Sequence, residues 1–303
     1  MIRILAGKIY RRAKRLFRVT NNLPVLCDST LSKILYGCHK KQMLSNTESK
    51  KANPLFYNRQ FVAHGRYEIH VPDNSLLLYQ SVIDMGFKII ECDVMFTKDL
   101  VPVLCHDDSI KDYTKYTIGH DVNKKISKLT YSSLCQYNFS IEKESFLGIT
   151  TFEEVIKLAK KEGVCVQIDL EKIYLGRKKY QILYDIVKKY DMLLNVIWEV
   201  LPSDLYSILL IDNSIILQLN HTWDLRSIEK MRFLQKTSTL VILSEWFPGI
   251  VKSDYTEVIN MGHQNGFLMK CATLNDYDEA LKMFSIGVDL ITTDTLTNNQ
   301  VIN

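Results

Sequence analysis

Glu91 and Asp93 stand two apart in the β-rich run KIIECDVMF (88–96). On a strand both project from one face while Cys92 points away. Carboxylates are almost never buried unless they are paired or bound to a cation. Two of them on one face, ending an apolar run, require a positive partner. A second run, VPVLCH, ends on His106, and FVAHG (61–65) carries His64 near its end. Imidazole changes charge near neutrality, so one histidine can accept a proton from a nucleophile while the other donates one to a leaving group. A metal between them would hold a phosphoryl oxygen and offset its charge. Those residue types point to cleavage of a phosphodiester.

More polar residues fall at the ends of other apolar runs: Asp169 and Glu171, Glu199, Glu245, Lys270 and Asp294. Any one alone is most simply a solvated strand end. Drawn from several strands, the set reads as one site. Oxygen donors without thiolates or a histidine cluster suit Mg²⁺ or Ca²⁺. Trp223 and Trp246 are read either as a wall for an alcohol or cationic head group, with Glu245 beside it, or as packing under loops.

Strand-like runs at 61–65, 88–96, 164–171, 195–200, 214–220, 239–246, 267–273 and 289–294 must carry these residues. Helical patterns separate them. TFEEVIKLAKKEG starts on a capping Thr151 and stops at Gly163, and DYDEALKMFSIG ends at Gly287. Apolar strands alternating with helices mean a parallel sheet buried on both faces, and eight of them fit a closed (β/α)₈ barrel. Barrels of this kind place their sites at the C-terminal strand ends, where the polar residues collect. An open doubly wound sheet would want a glycine-rich phosphate loop after its first strand, and AHGRYEIHVPDNS is not one. Residues 107–150, irregular and polar, read as an insertion after the extra strand VPVLCH.

The chain has 303 residues, 47% hydrophobic and 24% charged, enough for one large core. Its net charge of +4 is unevenly spread. Residues 1–60 hold thirteen Lys or Arg against two acids, leaving 25 basic and 32 acidic residues in 61–303. An acidic body argues against nucleic-acid binding, whose basic patch belongs on the folded surface. Seven cysteines without CxxC pairs read as reduced thiols. With no run of spanning or signal length, a cytoplasmic location is expected. On a helical wheel, residues 2–18 place Ile2, Leu5, Ala6, Ile9, Ala13 and Leu16 on one stripe and seven basic residues opposite. That pattern suits a peripheral helix on an anionic membrane surface, or a surface helix docked on the body. The expected organisation is a basic helix over 1–20, a connector over 21–60 and the barrel over 61–303.

The chain from 61 to 303 resembles the glycerophosphodiester phosphodiesterase family. AHGR, PDNS, IECDV and TKDLVPVLCHD stand where the family has its HRG-type strand, P-E-N-T/S turn, E-x-D strand and T-K-D-G-x-P-V-x-H-D. GVDLITTD is similar to the family's terminal G-x-D-x-I-x-T-D. The resemblance implies a TIM barrel hydrolase with a divalent cation on Glu91, Asp93 and a third-strand acid, Asp169 or Glu171. It also implies His64 and His106 as the acid–base pair and a small phosphodiester as substrate, and it makes 107–150 the family's insertion. His106 is assigned as the acid and His64 as the base. The chain departs from the pattern at Gly65, where the family has a phosphate-binding Arg, with Arg66 one place on. Asp73 replaces the family's Glu, and Asp169-Leu170-Glu171-Lys172 replaces its E-x-K. Ala272 stands where a Trp is typical. Arg66, Asp73, Lys270, Glu245 and Trp246 are the expected phosphate or substrate contacts, Arg66 only if the chain has already turned out of the strand. The departures support one alternative: a barrel that binds a phosphodiester or phosphate-linked glycan without cleaving it.

Overall fold

The computed structural model describes residues 52–170, 175–200, 204–212, 214–232, 234, 240–246 and 255–298. The basic helix expected over 1–20, nearly all of the connector, Glu171 and Lys172 lie outside the described residues. Among the described residues nine strands follow in chain order: β1 (Gln60–Ala63), β2 (Ile89–Phe96), β3 (Pro102–Leu104), β4 (Cys165–Asp169), β5 (Val196–Glu199), β6 (Ile216–Asn220), β7 (Leu240–Trp246), β8 (Leu268–Ala272) and β9 (Leu290–Thr293). Eight are parallel neighbours, and β1 pairs with both β9 and β2, so the sheet closes into a (β/α)₈ barrel. The ninth, β3, is the extra strand expected from VPVLCH and runs antiparallel on β2. Among the described residues no helix is long and apolar enough to cross a membrane.

The connecting helices start and stop where their sequence says. In Phe152–Glu162 the Thr151 hydroxyl accepts from the Glu154 N–H, and the Glu154 carboxylate accepts from the Thr151 N–H at 2.8 Å. Gly163 ends the helix with φ +68°, a left-handed conformation that glycine takes without a Cβ clash. Replacing Thr151 with alanine is expected to cost about 1 kcal/mol. The loss should appear as a lower denaturant midpoint at unchanged slope; an unmoved midpoint would show that the cap contributes nothing.

The inward face of the barrel changes character along each strand. Val62, Ile89, Cys165, Ile197, Ile216, Ile242, Leu268 and Leu290 form one apolar cluster with Phe56, from the 3₁₀ turn Pro54–Tyr57 that plugs the N-terminal end. Two residues further on, hence on the same face, stand His64, Glu91, Gln167, Glu199, Gln218, Ser244, Lys270 and Thr292. All but His64 are buried. The switch from apolar to polar occurs on all eight strands, so the lower half of the barrel is core and the upper half lines a site.

Residues 107–150 are less irregular than their sequence suggests. Ile110, Ile126, Leu134, Tyr137 and Ile149 bury themselves against Met95, Val103 and Cys105 in a second core. These apolar positions follow no helical or strand period, which is why the polar composition hid them.

Candidate active site

Glu91, Asp93 and Asp169 converge, each offering a carboxylate oxygen, and these oxygens all lie within 4.8 Å of one another. The register makes this unavoidable, because Asp93 is paired directly with Asp169 across β2 and β4, and Glu91 is two residues back on the same face. Glu91 is only 3% exposed and Asp93 only 1%. The carboxylates are fixed from outside the triad. The Gly65 N–H donates to Glu91 Oε2 at 2.7 Å, and Asn74 Nδ2 donates to Asp93 Oδ2 at 2.8 Å. Asn74 Oδ1 in turn accepts from the Asp93 N–H at 3.0 Å and from the Tyr79 hydroxyl at 2.9 Å. Three clustered carboxylates with an all-oxygen donor set and oriented outer partners fit a hard divalent cation.

His64 follows β1 and faces the triad. Its Nδ1 lies 2.5 Å from Asp294 Oδ1, and its Nε2 is 3.7 Å from Glu91 Oε2. Asp294 is clamped by Asn275, whose Nδ2 donates to Oδ2 at 2.9 Å and whose Oδ1 accepts from the Asp294 N–H at 2.8 Å. Burial pulls the pKa of His64 down. The charge of Glu91, then the hydrogen bond and charge of Asp294, outweigh it and leave the imidazole above its ordinary value. Burial works to raise Asp294, yet the hydrogen bonds from His64 and Asn275 and the charges of His64 and Arg66 hold it below the usual carboxylate range. Nδ1–H therefore donates to an ionised carboxylate.

His106 follows β3. The Cys105 N–H donates to the Asp93 carbonyl at 3.1 Å, which fixes this histidine beside the triad. His106 Nδ1 is 3.1 Å from Asp107 Oδ1, an ion-pair distance without hydrogen-bond geometry. Asp73 reports on the whole mouth. Burial raises its carboxyl above the usual range, Arg66 pulls it down, Asp93 pushes it up, and His64 and His106 pull it down. Both histidines are thus within electrostatic reach of one carboxyl.

Arg66 satisfies the condition set by the sequence. The strand has already ended, the Tyr67 N–H donates to the His64 carbonyl at 3.0 Å, and Arg66 stands exposed in that turn. Gly65 lies against the site's own scaffold: a Cβ there would meet Asn74 Oδ1 at 3.0 Å and the Glu91 carbonyl at 3.2 Å. Lys270 is 1% exposed, inside the barrel rather than at its mouth. Glu245 pairs with His221 at 3.2 Å, side by side at the adjoining ends of β7 and β6, and the neighbouring Trp246 is 60% exposed. Of the two readings open for the tryptophans, Trp223 takes the packing one. It is buried, donates Nε1–H to the Leu243 carbonyl at 3.0 Å and packs edge-on against Tyr255. A cavity of about 320 Å³ adjoins the site between Asp73 and the insertion, lined by Asp107, Asp112, Tyr113, Phe139 and Leu147 among others.

Sequence reasoning missed Asn74, Asn275, Tyr79 and His221. Asn74 carried one signal, its place beside Asp73 in the P-D-N-S turn, and it sits at φ +53°.

The family model described as the glycerophosphoryl diester phosphodiesterase family matches residues 64–297. No curated protein matches the chain. Among solved structures, an Oleispira antarctica phosphodiesterase in complex with the product sn-glycerol-3-phosphate is similar at 20% identity and TM-score 0.66, over 81% of this chain and 96% of that one. A glycerophosphodiester phosphodiesterase from Thermotoga maritima is similar at 22% identity and TM-score 0.60, over 78% and 95%. A third, from Parabacteroides distasonis, is similar at 19% identity and TM-score 0.64, over 83% and 97%. At these identities the structures share the fold. The family match spans most of the barrel and includes both histidines and the triad: the chain belongs to the glycerophosphoryl diester phosphodiesterase family and is a phosphoric diester hydrolase.

Proposed function

We propose that this barrel hydrolyses a glycerophosphodiester, or a closely related diester, to an alcohol and a phosphomonoester by paired-histidine acid–base catalysis. The observation that carries the reading is the convergence of Glu91, Asp93 and Asp169 beside the His64–Asp294 pair. Glu91, Asp93 and Asp169 are the residues that would hold a divalent cation, which supplies charge neutralisation at the phosphoryl oxygens when bound. Asp294 keeps the proton on His64 Nδ1, so Nε2 is the basic nitrogen, on the side of the triad. There it takes the proton of the nucleophile as the new P–O bond forms: water yields the phosphomonoester directly, whereas a neighbouring substrate hydroxyl yields a cyclic diester that water must then open to the phosphomonoester. His106 gives a proton to the departing alkoxide oxygen as the old P–O bond breaks. Arg66 and Asp73 flank the mouth, and the cavity toward the insertion offers room for the alcohol portion.

The test is to incubate the purified full chain with Mg²⁺ or Ca²⁺ and glycerophosphocholine, glycerophosphoethanolamine or a generic aryl phosphodiester, and to measure released alcohol. Turnover of at least one diester, abolished by exhaustive chelation, is the expected result. Full activity after chelation would remove the cation from the mechanism. Binding of all three diesters without turnover would leave a barrel that recognises them without cleaving them.

A further inference from the structure

Beneath the triad lies a pair of charges that the mechanism above does not use. Lys270 is the only buried Lys or Arg among the described residues. On β8 it projects into the barrel in the same ring of buried polar residues as Glu91 and Glu199; burial is the strongest influence on its ammonium and lowers its pKa, and the charges of Glu199, Glu91 and Asp169 work against that. Glu199 sits in a cage of amides: Gln167 Nε2 donates to it at 2.5 Å, Gln218 Nε2 at 2.8 Å, and Asn220 Nδ2 donates as well. Gln167 and Gln218 turn their NH₂ groups to this carboxylate and leave their Oε1 atoms buried without hydrogen-bond partners. Amides arranged that way serve an ionised acceptor, since a protonated carboxyl would need one of them reversed. The cage therefore holds Glu199 as an anion whether or not Lys270 is charged.

We propose that Lys270 is a positioning residue for the reaction, acting through the triad by offsetting its negative charge from below. This rests on the reading of Glu91, Asp93 and Asp169 as the cation site. Three carboxylates and one divalent cation sum to a negative site, which repels an anionic diester. A buried ammonium in the inward ring that carries Glu91 offsets part of that repulsion, and burial keeps water from screening it. The same charge weakens the hold on the cation. Lys270 thus trades cation affinity for diester affinity, which a lysine serving only to neutralise Glu199 would not do.

The experiment measures Mg²⁺ and Ca²⁺ binding by calorimetry on the substrate-free full chain, together with kcat and KM for a diester that the wild type cleaves. Lys270→Met is expected to bind the cation about tenfold more tightly while KM for the diester rises about tenfold. Loss of packing or misfolding would instead weaken both. Glu199→Gln removes the anion that competes for the ammonium, so it should shift cation affinity the other way, several-fold weaker. Cation affinity that is unchanged or weaker in Lys270→Met overturns the proposal, and if that variant does not fold, unchanged affinity in Glu199→Gln overturns it. A wild type that binds neither cation would overturn the triad reading itself, and this proposal with it.

Discussion

Alanine at His64 or at His106 is expected to lower kcat/KM by about 10²–10⁴ while leaving cation binding within a few-fold of wild type. The two variants should differ in how they respond to pH. Loss of the base removes the acid limb of the kcat/KM profile, and loss of the acid removes the alkaline limb. The sign for His64 follows from its surroundings. Glu91 and Asp294 raise its pKa against the pull of burial, so a base at this position works only above a pH higher than an ordinary imidazole would require. A cation on Glu91 offsets that carboxylate's share and leaves the Asp294 hydrogen bond, 2.5 Å long, as the lasting cause. Asp294→Asn should therefore move the acid limb to lower pH and slow turnover, without touching the P–O bond itself. Unchanged turnover in both alanine variants would sink the acid–base assignment.

Asp93→Asn should abolish measurable turnover, and in the absence of cation it should stabilise the fold. Two opposing effects meet at this residue. As one of three carboxylate groups within 4.8 Å, Asp93 is indispensable to a divalent cation and repulsive without one. Asparagine keeps the oxygen that accepts from Asn74 Nδ2 and removes the charge. With cation at about a hundred times its dissociation constant, the wild type should gain about 2.7 kcal/mol of apparent stability. The variant should gain nothing while starting from a higher melting temperature in chelator. Thermal melts with and without cation separate the terms. A variant that melts lower in chelator and still responds to cation would mean that Asp93 is a structural acid.

The sequence placed all eight barrel strands because each has the length and apolar content of a buried parallel strand and helical patterns separate most of them. It placed the triad because a spacing of two puts Glu91 beside Asp93, and the strand order then brings Asp169 alongside. Its blind spots have two causes. Asn74, which holds Asp93, and Asn275, which holds Asp294, lie on loops, each 19 residues from its partner; no periodicity links a loop amide to a strand carboxylate. Depth was equally hidden. A spacing of two identifies the face on which Lys270 lies but not whether that face is open to water at that height, and Lys270 proved almost fully enclosed. Glu199 looked like another strand-end acid and is instead held by amides from β4 and β6.

The change of character halfway up every strand separates what the barrel needs to persist from what it needs to react. Ile89, Ile197, Ile216 and Leu290 belong to a buried apolar cluster, while the residues two places on carry the polar groups. Substitutions of exposed residues around the mouth leave the lower cluster packed, so their cost in stability stays local. Lineages carrying this barrel can therefore explore new head groups by exchanging polar residues at the mouth, with the stability margin that tolerates such drift stored at the opposite end of the same strands.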